Sequence, residues 1–126
     1  MRPKTLAEVA QLTLNGDMFD RCLANFLDEF YAAPNAASLS APPVLLAPTL
    51  GETGHVQDAY LAATAEELAR AWQFPVWVWT DDAARKLHCP WFASPLASLR
   101  AVLLLESPAA FRARNLFISE NALARA

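Results

Sequence analysis

Apolar residues between positions 19 and 31 recur at intervals of three and four, the spacing of one face of an α-helix. They are Phe19, Cys22, Leu23, Phe26, Leu27, Phe30 and Tyr31. A strand would bury every second side chain instead, so this segment buries its apolar residues together only as a helix. Asp17 or Asp20 is predicted to begin it, because a carboxylate accepts hydrogen bonds from the unpaired first amides. We therefore expect a helical fold built around this segment.

Further segments carry helix boundaries of their own. Thr5 and Glu8 form a capping box, and it predicts a first helix that ends near Gly16. A third helix is predicted from about His55 to Trp72. Its expected buried side is Val56, Ala59, Tyr60, Ala63, Leu68 and Trp72, and its expected solvent side is Glu66, Glu67 and Arg70.

The segment that follows Ser94-Pro95 is apolar on nearly every side. Its apolar residues are Leu96, Leu99, Val102, Leu103, Leu104 and Leu105. A helix that is hydrophobic all round is normally buried, so we expect it to be the central rod against which the others pack. Ser107-Pro108 repeats the same pair, and the Ser107 hydroxyl is predicted to accept from the first amides of a last helix.

Residues 34–54 are rich in proline, alanine and serine, and Pro42, Pro43 and Pro48 argue against one continuous helix there. Within this connection, Val44, Leu45 and Leu46 are predicted to plug the core. The sequence thus predicts an all-α fold, a single domain over residues 1–126, with about five to six helices and a long Pro-rich connection.

Composition excludes several classes of protein. The chain has 126 residues, of which 55% are apolar, and a net charge of −3. This balance predicts a compact domain and gives no global electrostatic attraction to nucleic acid. Cys22 and Cys89 lie far apart and are expected as buried thiols in a reducing compartment. No apolar segment approaches membrane-spanning length, so we expect a cytoplasmic protein without membrane contact.

No pattern commits the chain to a reaction. Gly16, Gly51 and Gly54 do not form a phosphate-binding loop, and the histidines and cysteines lack the spacing of a zinc site. We therefore predict no catalytic residues, no metal and no cofactor. The alternative is a small enzyme whose site is assembled from scattered residues, with His88, Asp81 and Arg112 as its candidates.

Aromatic residues are concentrated between positions 77 and 92. Trp77 and Trp79 share one face of an extended segment, and Val76 and Val78 share the other, so one pair could be exposed. Core packing is the alternative for these side chains. Large aromatic anchors dominate many protein interfaces, and the candidate partner-binding residues are Trp77, Trp79, Trp91 and Phe92, together with Arg112 and Arg114.

Arg112 and Arg114 are separated by one residue in the predicted last helix, so their side chains point in different directions. We expect them to hold the terminal segment through carboxylate or carbonyl contacts. The alternative is a nucleic-acid interface formed by Arg112, Arg114 and Arg125, which would need a concentrated basic patch in a chain of net negative charge.

Several segments of the sequence together resemble a family of small bacterial proteins that has no established activity. The segments are Asp28-Glu29-Phe30-Tyr31, Asp58 to Ala63, Trp79-Thr80-Asp81, Pro90-Trp91-Phe92-Ala93 and Glu106 to Phe117. Some members of this family lie beside nucleotidyltransferase-like genes, in an arrangement similar to toxin–antitoxin pairs. The resemblance implies a protein partner and an antitoxin-like role, and it supplies no catalytic residues. The expected function is a non-catalytic protein-interaction module.

Overall fold

The computed structural model describes residues 2–94 and 99–125 of the chain. The structure is 59% helical, with six helices and two short strands in the described residues, which confirms the predicted all-α fold. The helices are α1 (Leu6–Leu14), α2 (Phe19–Ala32), α3 (Ala37–Ser40), α4 (Ala47–Ala71), α5 (Arg100–Glu106) and α6 (Ala109–Arg112). The strands are β1 (Trp91–Phe92) and β2 (Leu116–Phe117).

Helices α1 and α2 form as the sequence predicts, with one difference at the start of α2. Thr5 caps α1, because its hydroxyl accepts from the Glu8 amide at 3.1 Å. Helix α2 is preceded by Met18, which offers no side-chain cap, and Asp20 lies within its first turn, so the predicted aspartate cap is wrong. Of the seven apolar residues predicted to face the core, six are buried and Tyr31 is partly buried.

Helix α4 begins at Ala47, well before the predicted start at His55. Pro48 fits its first turn, where a missing amide hydrogen costs little, and Gly51 (φ 67°) marks a kink in it. The carboxylate of Asp58 accepts from the amides of Leu46 at 2.7 Å and Ala47 at 3.1 Å, which caps the helix start. Residues 34–54 therefore hold α3 and the first turns of α4 rather than one long connection, and of the predicted plug only Leu46 is buried.

The central element is α4, so the predicted role of the segment after Ser94 as the core rod is wrong. Helix α4 packs against α1, α6, β2 and two 3₁₀ turns, Val78–Asp81 and Ala83–Arg85. Its buried residues are Gly54, Asp58, Ala59, Leu61, Ala62, Ala63, Thr64, Ala65, Leu68 and Ala69. Helix α5 buries only Leu103. The predicted start of that helix falls on residues 95–98, which lie outside the described residues.

A two-stranded parallel sheet joins the segment before α5 to the segment after α6. Trp91 pairs with Leu116 and Phe92 with Phe117. The Ser107 hydroxyl accepts from the Ile118 amide at 2.6 Å and can donate to a carbonyl of the same segment, so its predicted role as cap of the last helix is wrong. An amide in the first turn of α6, that of Ala110, instead donates to Glu67 of α4 at 3.0 Å.

Two further sequence expectations meet the structure directly. Cys22 is buried as expected, whereas Cys89 is exposed, which corrects the expectation that both thiols are buried. None of the helices in the described residues is long and apolar enough to cross a membrane.

Candidate functional site

The two tryptophans of the segment after α4 turn towards the core. Trp77 and Trp79 are partly buried and pack against the main hydrophobic cluster, whereas the Val78 side chain is 90% exposed. The Trp79 indole donates to the carbonyl of Leu39 at 3.0 Å. The indole nitrogen of Trp77 is buried and has no hydrogen-bond partner among the described residues. The valine face of the segment is thus the exposed one.

Arg85, which was not among the residues predicted from the sequence, contacts the ring of Trp79. Its guanidinium lies 4.9 Å from the centre of the Trp79 ring and donates to the carbonyl of Pro43. Burial lowers the pKa of Arg85, and the charge of Asp58 offsets part of that effect. Trp79 therefore takes part in a structural contact. The Arg85 guanidinium lies over its ring and also binds the segment before α4.

Trp91 and Phe92 lie on β1 and face different surroundings. The Trp91 side chain lines a cleft beside α2 and α4. The Phe92 ring stacks on Phe117, with ring centres 5.1 Å apart, and the guanidinium of Arg100 lies 5.2 Å from its centre. Phe92 therefore joins the two strands and connects them to the start of α5.

Arg114 is buried to 3% exposure and joins three parts of the chain. Its guanidinium donates to the Glu66 carboxylate at 2.9 Å and to the carbonyls of Thr80 at 2.8 Å and Ala110 at 2.7 Å. Burial alone raises the pKa of Glu66, but the hydrogen bonds from Arg114 and Arg70 outweigh it and leave that pKa below its usual value. These contacts match the predicted structural role of Arg114, and they keep its guanidinium inside the protein.

The other two arginines considered for nucleic-acid binding differ from Arg114. Arg112 is exposed, and its guanidinium has no hydrogen bond or ion pair to any other described residue. Arg125 pairs with Asp28 at 2.8 Å, and Arg2 bonds the same carboxylate at 3.1 Å. The hydrogen bond from Arg125 lowers the pKa of Asp28. Of the three arginines, Arg112 alone presents an unshared charge within the described part of the chain.

The residues of the alternative enzyme site have separate partners. Asp81 pairs with Lys86 at 2.8 Å, and the ring of His88 lies 6.3 Å from that of His55. In residues 2–94 and 99–125 no hydrogen bond or ion pair joins His88, Asp81 and Arg112 to one another. The described residues also contain no group of three histidine, cysteine, aspartate or glutamate side chains that could hold a metal ion.

Several large apolar side chains of α5 and of the residue before it are exposed. Leu99, Val102, Leu104 and Leu105 are all exposed, and Leu105 reaches 83%. Leu99, Val102 and Leu105 follow at intervals of three, so they are neighbours on one side of the helix. We call the side chains of Leu99, Val102 and Leu105 the α5 face.

Sequence reasoning missed the α5 face because it assigned these residues to the core. A usable signal existed, since α4 carries many alanines that allow other elements to approach closely, whereas α5 has a single small residue, Ala101. A helix that has one small residue and spans only seven positions is a poor central rod.

Comparisons with known proteins give no match. Neither the models of known protein families, nor the curated proteins, nor the solved structures contain one that matches this chain.

Proposed function

We propose that the protein is a non-catalytic interaction module that binds a partner protein through the α5 face. The observation that carries this proposal is the exposure of three large aliphatic side chains, Leu99, Val102 and Leu105, on one side of a short helix and the residue before it. Contiguous exposed apolar surface marks interaction sites in soluble proteins, because covering it removes apolar area from water.

Charged groups next to the α5 face in the sequence suit the edge of an interface. Arg100 begins α5, Glu106 ends it, and Arg112 follows six residues later with an unshared guanidinium. Interfaces commonly have an apolar centre and a polar rim, and arginine is enriched in them. A partner with an apolar groove and a nearby carboxylate would complement this arrangement.

The resemblance to bacterial proteins beside nucleotidyltransferase-like genes supports a more specific proposal. The partner would be a toxin or nucleotidyltransferase, and this protein would be its antitoxin-like restraint in the bacterial cytoplasm. A short amphipathic or apolar helix that enters a groove of the partner is a common recognition mode. In this proposal α5 is the helix that enters.

The test compares two aspartate substitutions at exposed apolar positions. Leu105→Asp alters the α5 face, and Val78→Asp is the matched control, because Val78 is as open to solvent but lies in another segment. The protein encoded by the adjacent gene is purified, and its affinity for each variant is measured by calorimetry. We expect Leu105→Asp to weaken binding by about 30-fold, equivalent to about 2 kcal/mol, and Val78→Asp to leave it unchanged. Circular dichroism checks that both variants are folded.

Three outcomes would contradict the proposal. The first is equal binding by both variants. The second is a loss of affinity with folded Trp77→Ala but not with Leu105→Asp, which would place the interface at the aromatic segment. The third is a wild-type dimer that Leu105→Asp converts to a monomer, as measured by light scattering, with no heterologous complex. In that case a second copy of the chain covers the α5 face.

A further inference from the structure

A cleft of about 780 Å³ lies between α2, the first half of α4 and the tail after β2. Trp91 of β1 lines this cleft, whereas the neighbouring Phe92 does not. This volume falls within the usual range for small-molecule sites. The apolar side chains that line it are Phe19, Leu23, Leu27, Val56, Trp91 and Ile118. An apolar or aromatic group of moderate size could therefore pack against these side chains.

The polar groups of the cleft include an unused acceptor. Gln57 lines the cleft, and its side-chain oxygen is buried without a hydrogen-bond partner among the described residues. Such an acceptor is stabilised when a ligand supplies an N–H or O–H. Tyr60 also lines the cleft, and burial, with a smaller effect from the charge of Asp20, raises its pKa to about 12.

The charges of the cleft are predominantly negative. Asp20 and Glu52 line it, and their carboxylates have no hydrogen bond or ion pair to other residues of the described ranges. The one cation in the lining, Arg125, has two guanidinium nitrogens on the Asp28 carboxylate. An anionic ligand would thus meet two unpaired carboxylates and an arginine that is already neutralised.

We propose that this cleft binds a small organic cation, an amine with an apolar or aromatic body. The body contacts the apolar walls, the ammonium group is attracted by Asp20 and Glu52, and a donor of the ligand satisfies the oxygen of Gln57. This site is separate from the α5 face, and none of its lining residues belongs to that face.

The first experiment is a titration of ¹⁵N-labelled protein with three probes of the same shape. They are 2-phenylethylamine, the neutral 2-phenylethanol and the anionic phenylacetate. We expect the amine to shift the amide signals of Val56, Gln57, Tyr60 and Ile118, with an affinity about tenfold higher than that of the alcohol. Equal affinities for the amine and the alcohol, or shifts confined to residues outside the cleft, would overturn the proposal.

Variants test the two parts of the site separately. Asp20→Asn combined with Glu52→Gln should reduce the affinity for the amine to that for the alcohol and leave the alcohol unaffected. Glu120→Gln is the matched control, because it removes an exposed carboxylate that does not line the cleft. Ala24→Trp fills the cleft and should abolish binding of both probes while the far-ultraviolet spectrum stays helical. Unchanged amine binding in the folded double variant or in folded Ala24→Trp would show that the cleft is not the site.

Discussion

Helices α4 and α5 are both rich in aliphatic residues, yet α4 is mostly buried from Asp58 to Ala69 and α5 is largely exposed. Leu61 and Leu68 of α4 are enclosed, whereas Leu104 and Leu105 of α5 face solvent. Helix α4 packs against elements from both ends of the chain, and α5 packs mainly against β2. Apolar character alone therefore does not determine which helix becomes the centre of a bundle.

The difference follows from residue size and from polar contacts between elements. The alanines of α4 allow close approach by neighbouring elements, as small residues at a helix surface do. Three of its carboxylates also accept hydrogen bonds, one from the start of α4 itself and two from other segments. Asp58 accepts from the Leu46 and Ala47 amides, Glu66 from Arg114, and Glu67 from the Ala110 amide. Buried hydrogen bonds to charged groups fix partners in place, and α5 has no comparable set among the described residues.

A matched pair of leucine substitutions gives the largest expected difference between the two helices. Leu61→Ala should lower the free energy of unfolding by about 2–5 kcal/mol, because it leaves a cavity in a closely packed core. Leu105→Ala should change it by less than about 0.5 kcal/mol, because the side chain is already in water. Urea denaturation followed by circular dichroism measures both. Equal losses would show that α5 is packed as tightly as α4.

Substitutions of Arg114 and Arg112 test how the terminal segment is held against α4. Arg114→Gln should lower the free energy of unfolding by about 2–3 kcal/mol, because it removes charged hydrogen bonds from a buried site. Arg112→Gln should change it by less than about 0.5 kcal/mol. Amide hydrogen exchange should accelerate after Asn115 only in the Arg114 variant. Faster exchange in the Arg112 variant as well would contradict the separate roles assigned to the two side chains.

The smallest expected effect concerns the hydroxyl of Tyr60 on α4. Its pKa is raised from 10.0 to about 12, so the unfolded chain loses this proton at a lower pH than the folded one does. The resulting stabilisation is present below pH 10 and is lost as the pH rises through 12. Between pH 9 and pH 11, Tyr60 should therefore lower the free energy of unfolding by about 1 kcal/mol.

Tyr60→Phe removes that contribution, so the stability of the variant should fall less steeply between pH 9 and pH 11. Tyr31→Phe is the variant for comparison, because burial raises the pKa of Tyr31 as well, so it removes the contribution of Tyr31 alone. In Tyr31→Phe the contribution of Tyr60 should persist. An unchanged slope in Tyr60→Phe would mean that this side of α4 is as open to water as α5.

Local signals in the sequence were enough to predict part of the fold. The cap of α1 and the apolar face of α2 depend on residues within four positions of one another, and both are found where the spacing places them. The start of α4 was not predictable in this way, since its cap is Asp58, which lies eleven and twelve residues beyond the amides that it binds. Ser107 likewise bonds to β2 instead of the helix beside it.

The candidate functional residues were likewise predictable only in part. The contacts of Arg114 with a carboxylate and with carbonyls agree with the sequence prediction, but its acceptors on Glu66 and Thr80 are known only from the fold. The α5 face was mistaken for core, because apolar periodicity reports which side chains favour burial and not whether another element covers them. The partner-binding roles of Trp77, Trp79, Trp91, Phe92 and Arg112 stay predictions.

The sequence by itself determined that the chain is helical, because caps, prolines and the three-to-four spacing act between residues a few positions apart. The tertiary structure decided which helix is central, which of the two adjacent arginines is buried, and where apolar surface and unpaired carboxylates remain. These outcomes depend on contacts between residues far apart in the chain, such as Glu66 with Arg114 and Asp28 with Arg125. Such contacts form only when the packing of small side chains brings distant segments together, and no local pattern records that packing.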